Sequence, residues 1–407
     1  MKRGAQTVAM TTEQFSIAGR ADAATPWLAV ACLSLVTFVL IASEFMPVSL
    51  LTPIAADLGI SEGQAGQAIS ISGVFAVVTS LFGNTLLSRW DRRAAVVLYT
   101  AVLVVSGLAV TLAPNYLVFM AGRALIGISI GGFWSLSTAI LARLVSGPDL
   151  PKAMAMLQGG TALASVIAAP LASFLGGLIG WRGAFFIVVP IGLAGIAWQL
   201  LVLPKLPPTH NVSVGNMVAL LRNPVFAIGM AATTLAFMGQ FAVSTYFRPF
   251  LESVTGLDVN GLSLVLLGLG VAGLAGTAIS GFVLRSHLNA TLVVLPAALA
   301  TVSLALVALG SVPLAVAALL ILWGFFSNPI PVGWGTWMTR IIPDDLEAGG
   351  GLQVALIQFA ITVGAFGGGL LFDLSGWRSP FILGAALLTI AAGVAFVATH
   401  PRKATRP

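Results

Sequence analysis

Twelve times along this chain a run of about twenty or more residues passes with almost no charge, and the gaps between runs are short and polar. The runs fall near 28–54, 64–87, 94–113, 116–142, 153–178, 183–203, 224–248, 262–284, 290–310, 314–339, 350–371 and 379–399. A helix rising 1.5 Å per residue needs roughly twenty apolar residues to cross a bilayer, and in hydrocarbon the backbone must satisfy its own hydrogen bonds. The pattern therefore predicts an all-α membrane protein with twelve crossings. A soluble alternative is excluded because only 8% of the residues are charged, where water-facing domains carry about 25%.

The longest internal gap, Pro204 through Asn223, is Pro-rich and polar and divides the runs six and six. It predicts a tail over 1–27, a six-helix bundle over 28–203, a linker over 204–223, a second bundle over 224–399 and a tail over 400–407. Residues 1–26 carry Glu13, Arg20 and Asp22 without the order of a cleaved signal peptide, so the first span is expected to act as its own insertion signal. With the N-terminus inside, 15 of the 19 Lys and Arg residues fall on the cytoplasmic side. Only Arg182, Arg248 and Arg378 fall on the other, and Arg123 lies within a span. The positive-inside rule thus predicts both termini cytoplasmic.

The halves also carry a repeat. Gly180-Trp181-Arg182 recurs as Gly376-Trp377-Arg378 at an offset of 196 residues, and the same offset carries Pro53 onto Pro249 and Arg89 onto Arg285. Coincidences at matching helix ends predict parallel pseudo-repeats related by an axis along the membrane normal. Small residues such as Gly127 and Gly131 lie where helices should touch. Pro47, Pro53, Pro170, Pro329 and Pro331 are positioned to kink or end their helices.

Glu44 is the one acidic residue inside a spanning run. A carboxylate there costs roughly 2.5 kcal/mol or more, which marks it as a functional candidate. Glu44 lies roughly 15 Å deep and Arg123 roughly 10 Å deep from the same face, so the two are expected to meet. Burial and a nearby cation act oppositely on a carboxylate's hold on its proton, so a conformational change altering either would load or release one. Arg stays charged, which leaves Glu44 as the titrating member. The alternative is a static ion pair pinning span 1 to span 4.

Other polar and aromatic residues inside spans form the candidate substrate set: Phe133, Trp134, Gln158, Gln240, Thr245, Tyr246, Asn328, Trp334, Gln353 and Gln358. Amides and hydroxyls beside aromatic faces suit a flat, uncharged, hydrogen-bonding ligand better than an ion; packing, interfacial anchoring and bonding within the same helix are the competing roles. Arg248, after Tyr246 and Phe247, is a candidate outer gate. One cysteine, Cys32, rules out an intrachain disulfide or thiolate cluster. His210, His287 and His400 fall in loops and the tail and form no acid-base or metal constellation, and no basic block interleaved with aromatics supports nucleic-acid binding. The expected environment is the lipid bilayer, with a small molecule as partner, and the expected state is a monomer.

Twelve spans in two repeats with Arg123-Ala-Leu-Ile-Gly127 in span 4 resemble the major facilitator superfamily, in particular its proton-coupled exporters, whose fourth helix carries Arg-x-x-x-Gly. The resemblance implies a proton-coupling role for Arg123, with protons as coupling ion and no other cofactor. The family's loop motif between spans 2 and 3 is degenerate, with Ser88 and Asp91 where Asp and Gly belong. It makes Arg89, Asp91, Arg92 and Arg93 the inner gating candidates. The antiporter motif of span 5 is matched in part by Ala169-Pro170. Glu44 through Pro53, Asp57 through Gly63, Gly131 through Trp134, Val166 through Pro170, Gly239 through Phe241 and Pro331 through Trp334 are similar to purine ribonucleoside exporters of that superfamily. This implies export of inosine, adenosine, guanosine and analogues by proton antiport across a bacterial inner membrane. A drug or sugar exporter of the same superfamily is the nearer alternative, and a non-transporting membrane sensor or scaffold the more distant one.

Overall fold

A computed structural model describes residues 25–87, 89–145, 150–207 and 214–400. Most of the N-terminal tail, Ser88, His210 and the tail residues Arg402, Lys403 and Arg406 lie outside the described residues, as do the side chains of Thr138 and Arg285. The first half runs α1 Thr25–Leu58, α2 Glu62–Leu86, α3 Arg92–Thr111, α4 Tyr116–Leu144, α5 Leu150–Phe186 and α6 Val188–Val202. The second runs α7 Pro224–Ser244, α8 Val259–Leu284, α9 Ser286–Leu309, α10 Pro313–Ile341, α11 Leu346–Ser375 and α12 Arg378–Thr399. No strand occurs among the described residues. Among the described residues eleven apolar helical stretches are long enough to cross a membrane, and one of them, Lys152–Val202, is 51 residues long and broken at Gly180, which is enough for two crossings and brings the total to twelve. Large apolar side chains such as Leu117, Leu201 and Leu314 face outward, as a lipid-solvated surface requires.

Local chemistry sets the helix starts. Asp91, Asn115, Asn223 and Asp258 accept hydrogen bonds from backbone N–H groups in the first turns of α3, α4, α7 and α8, satisfying donors that a helix start leaves free. Prolines set several interruptions. Asn328 and Pro329 divide α10 into Pro313–Ser327 and Ile330–Ile341. Helix α7 ends at Ser244, short of the expected bound at 248, and Arg248 and Pro249 belong instead to a separate short helix, Phe247–Ser253. Helix α1 runs on to Leu58, past its expected end, so Glu44 sits about 21 Å from that terminus at 1.5 Å per residue. The linker is partly helical, over Val214–Ala219.

The repeat is visible atom by atom. Gly180 and Gly376 take the same left-handed turn (φ 74°, ψ 165° and φ 80°, ψ 179°), a region that disfavours any side chain. The following Trp181 meets Phe185 edge-on at 6.3 Å, and Trp377 meets Phe381, the residue 196 positions on, edge-on at 6.0 Å. Arg182 and Arg378 lie over their neighbouring indole rings. Helices α1–α6 enclose one hydrophobic core and α7–α12 another, each borrowing a residue from the other half: Tyr246 joins the first and Ile69 the second. Close approach within the first half is permitted by Gly127 and Gly131, where a Cβ would collide with the backbone of Ser72 and Ala76 on α2.

Across the halves α2 packs on α11 and α5 on α8. The loops bearing Asp57, Glu62, Arg182, Glu252, Asp258 and Asp373 share one end of the molecule, here termed the acidic end. Those bearing Arg89, Arg93, Arg143, Lys152 and Arg340 form the opposite, basic end.

Candidate functional site

The site is built on the two prolines inside α1. A helical proline has no N–H for the carbonyl four residues earlier, so Pro47 orphans the Ser43 carbonyl and Pro53 orphans that of Ser49. Each orphan receives an arginine. Arg123 of α4, fully buried, donates from Nη1 to the Ser43 oxygen (2.8 Å), from Nη2 to the Glu44 backbone oxygen (2.8 Å) and from Nε to the Ala68 oxygen of α2 (3.3 Å). Arg248, from the other half, donates to the Ser49 oxygen and pairs with Glu252 at 2.7 Å. The expected meeting of Glu44 and Arg123 therefore occurs through the backbone of Glu44. The salt bridges among the described residues are Arg182–Asp57 and Arg248–Glu252.

The Glu44 side chain is 3% exposed and points across to the other half, where Gln358 Nε2 of α11 donates to its Oε1 at 3.4 Å. Its helix neighbour Phe45 stacks on Phe241 of α7, with centroids 5.6 Å apart and an interplanar angle of 29°. Phe45 and Phe241 are separated by the repeat offset of 196, so the stacked pair joins equivalent positions and marks where the pseudo-repeats face each other. The same offset carries Glu44 onto Gln240. One half thus holds a carboxyl where the other holds its amide counterpart.

Buried polar atoms without partners are rare because each costs about 1–3 kcal/mol. Here Gln240 Oε1, Gln358 Oε1, Gln353 Nε2 and Thr161 Oγ1 are all buried and unsatisfied. Three of these belong to amides on α7 and α11, and one of the three, Gln358, contacts Glu44. They supply both acceptors and a donor for an uncharged hydrogen-bonding ligand. A cleft of about 300 Å³ between the linker and the α10–α11 turn, lined by Asn223, Ile342 and Asp344, lies at the basic end and has none of these groups.

The other sequence candidates make different contacts. Thr245 spends its hydroxyl on the Phe241 oxygen of its own helix (2.6 Å). Tyr246 is fully buried between α2 and α11, donating to the Ala365 oxygen (2.9 Å) and stacked on Phe372. Phe133 is a core residue of the first half, and Trp334 packs edge-on against Trp337 in the second. Trp134 and Asn328 are half-buried, and Gln158 is exposed. Of the inner gating candidates, Asp91 caps α3, Arg93 donates to the Leu200 oxygen, Arg89 is exposed, and Arg92 is buried with its backbone N–H on the Leu206 oxygen (2.8 Å).

Sequence reading passed over the contacts that close the acidic end. Asp373, in the last turns of α11, accepts from the Ser61 hydroxyl (2.5 Å) and from the Gly63 N–H (3.1 Å), so one half caps the start of α2 in the other. No motif announces this, since it joins residues 310 and 312 positions apart. The pairing of Glu44 with Gln240 was within reach, because the 196-residue offset applied to position 44 gives it directly.

The sequence profile of the Major Facilitator Superfamily matches residues 33–344. The chain is 50% identical over 372 residues to a Pseudomonas aeruginosa protein named transcription regulatory protein OpdE, covering 90% of this chain and 92% of that one. It is 42% identical over 366 residues to the purine ribonucleoside efflux pump NepI of Salmonella typhimurium, again covering 90% and 92%. Among solved structures, a bacterial homologue of the human lysosomal transporter Spinster, in an inward-facing and unoccupied conformation, superposes with a TM-score of 0.71 at 14% identity, covering 92% of this chain and 97% of that one.

Proposed function

Because the chain belongs to the major facilitator superfamily, a family of membrane transporters, we propose that it exports purine ribonucleosides and their analogues in exchange for protons. The observation that carries this reading is Glu44: a carboxyl enclosed within its span and hydrogen-bonded to the opposite half, through a glutamine amide whose oxygen lacks a partner. A carboxyl that carries a proton and amides that recognise an uncharged polar ligand are the two components an exchanger of this kind needs. The likeness to NepI, a named purine ribonucleoside efflux pump, supports the choice of nucleosides over sugars or drugs. The basic bias of one end supports placing it, with both termini, on the cytoplasmic side; in this reading the protein is a monomer in a bacterial inner membrane.

In this reading the halves rock about the centre, proton entry from outside favours one orientation and nucleoside entry from the cytoplasm favours its return. The test is uptake of tritiated inosine into everted vesicles under an imposed pH gradient. Wild-type protein is expected to accelerate uptake, with unlabelled adenosine and guanosine competing and chloramphenicol and arabinose not. Glu44→Gln is expected to reduce gradient-driven uptake to that of vesicles lacking the protein. Wild-type rates from Glu44→Gln would remove Glu44 from coupling, and competition by chloramphenicol or arabinose alone would point to a drug or sugar exporter. A second reading, a membrane-bound regulator, is suggested by the name of the relative OpdE. It predicts no solute flux in the same vesicles.

A further inference from the structure

In the exchanger, the reading on which this inference rests, a proton and a substrate must exclude each other. Gln358 touches Glu44 through one end of its amide and leaves the other end free. Nε2 donates to the carboxyl, while Oε1 is buried with no hydrogen-bond partner. The bond crosses between the halves, 314 residues apart in sequence.

An ionised carboxylate only accepts hydrogen bonds, so it holds the amide with its N–H₂ inward and its oxygen outward. A protonated carboxyl has an O–H to donate. The acceptor on the same partner is Gln358 Oε1, reached by turning the terminal amide torsion, which has a broad, roughly two-fold profile. After that turn the N–H₂ faces outward. The charged group facing Glu44 is Arg123 of α4. Its nitrogens are engaged by the backbone oxygens of Ser43, Glu44 and Ala68, so it stays in place while the amide turns. From α7 the facing group is Phe241, stacked on Phe45, and it offers no competing hydrogen bond.

We propose that Gln358 is the positioning residue that converts the protonation of Glu44 into the sense of the hydrogen bond offered to substrate: an acceptor when Glu44 is ionised, a donor when it is protonated. A substrate N–H or O–H bound to the outward oxygen then loses its acceptor and confronts a donor once the proton arrives. The substrate leaves, and departure of the proton restores its acceptor. The amide itself gains and loses no proton; the proton enters from water on one side and returns to water on the other. Exclusive occupancy, which antiport requires, follows without direct contact between the carboxyl and the substrate.

The test uses the full chain in lipid nanodiscs as wild type, Glu44→Gln, Gln358→Met and Gln358→Leu, with two readouts. Acid-minus-base infrared difference spectra of the wild type are expected to show the Glu44 carboxyl band together with a glutamine side-chain amide change. Glu44→Gln should lose both. Gln358→Met, close in volume, should keep the carboxyl band at a shifted frequency and lose the amide change, and Gln358→Leu serves if the Met variant does not fold. In the second readout, wild-type affinity for tritiated inosine is expected to fall about tenfold per pH unit on the acid limb, as one competing proton dictates, and by less than about twofold in Gln358→Met. An unshifted carboxyl band and an undiminished pH slope in the Gln358 variants overturn the proposal and leave the nucleoside reading standing. Loss of the amide change in Gln358→Met, in a protein that binds no inosine, upholds the proposal and overturns the nucleoside reading.

Discussion

Arg123 is held by three carbonyl oxygens, and one of them is free only because Pro47 cannot donate to it. A guanidinium reaches all three because its donors are fixed in a planar fork; an ammonium cannot. Arg123→Lys should therefore lower the unfolding free energy by about 1–3 kcal/mol, the cost of leaving buried acceptors unpaired, read as a lower melting temperature in detergent. Pro47→Ala gives the Ser43 oxygen a helical N–H, so adding it to Arg123→Lys should recover about 1 kcal/mol of that loss. Additive effects in the double variant would mean that the proline and the arginine are not linked. Both charged residues were legible in the sequence as anomalies of burial. Their contact was not, because counting residues from a helix end gives depth but not which atom meets which. The missing clue lay four positions before Pro47, at Ser43.

At the scale of the helices, the recurring Gly-Trp-Arg turn is a matched pair inside one molecule. Gly180 and Gly376 have the same left-handed backbone, and a Cβ at either meets no neighbouring atom. Gly180→Ala and Gly376→Ala should each cost about 1 kcal/mol from backbone conformation alone, with equal shifts in melting temperature and little change in transport. Unequal shifts would show that the two turns have diverged in function. The twelve spans were readable because lipid imposes length and apolarity on every crossing, and the repeat because a tight turn tolerates few residues. The break at Ser244 was not readable, because Ser244 and Thr245 are compatible with a continuous helix and the short helix after it carries Arg248 onto α1 of the other half. Thr245, Tyr246 and Trp334 looked like ligand groups for a related reason. A polar or aromatic residue in an apolar span has the same letter whether it packs or binds.

For the whole molecule, three of the contacts between halves lie toward the acidic end: Asp373 on α2, Arg248 on α1, and Tyr246 between α2 and α11. Asp373 is solvent-exposed and Ser61 half-buried, which limits their contribution to about 1 kcal/mol. Removing it with Asp373→Ala should shift the ratio of closed to open acidic ends about fivefold toward open. Spin labels at exposed Gln64 and Ser375 would report this as a longer distance population, and an unchanged distribution would show that Asp373 does not hold the halves together. Cys32, the lone thiol, is fully buried and leaves such labelling without background.

The two halves face each other through Phe45 and Phe241, yet beside that stack one half carries Glu44 and the other Gln240. A pair of carboxyls would let two protons cross per cycle; a carboxyl opposite an amide provides for one. In the proposed exchanger, one proton moving inward against an uncharged nucleoside moving outward carries a net charge through the membrane. Transport would then be driven by the membrane voltage as well as by the pH difference, and each 100 mV would add about 2.3 kcal/mol per cycle. In that exchanger, replacing one carboxyl by its neutral isostere in a duplicated helix sets the charge moved per cycle at one rather than two.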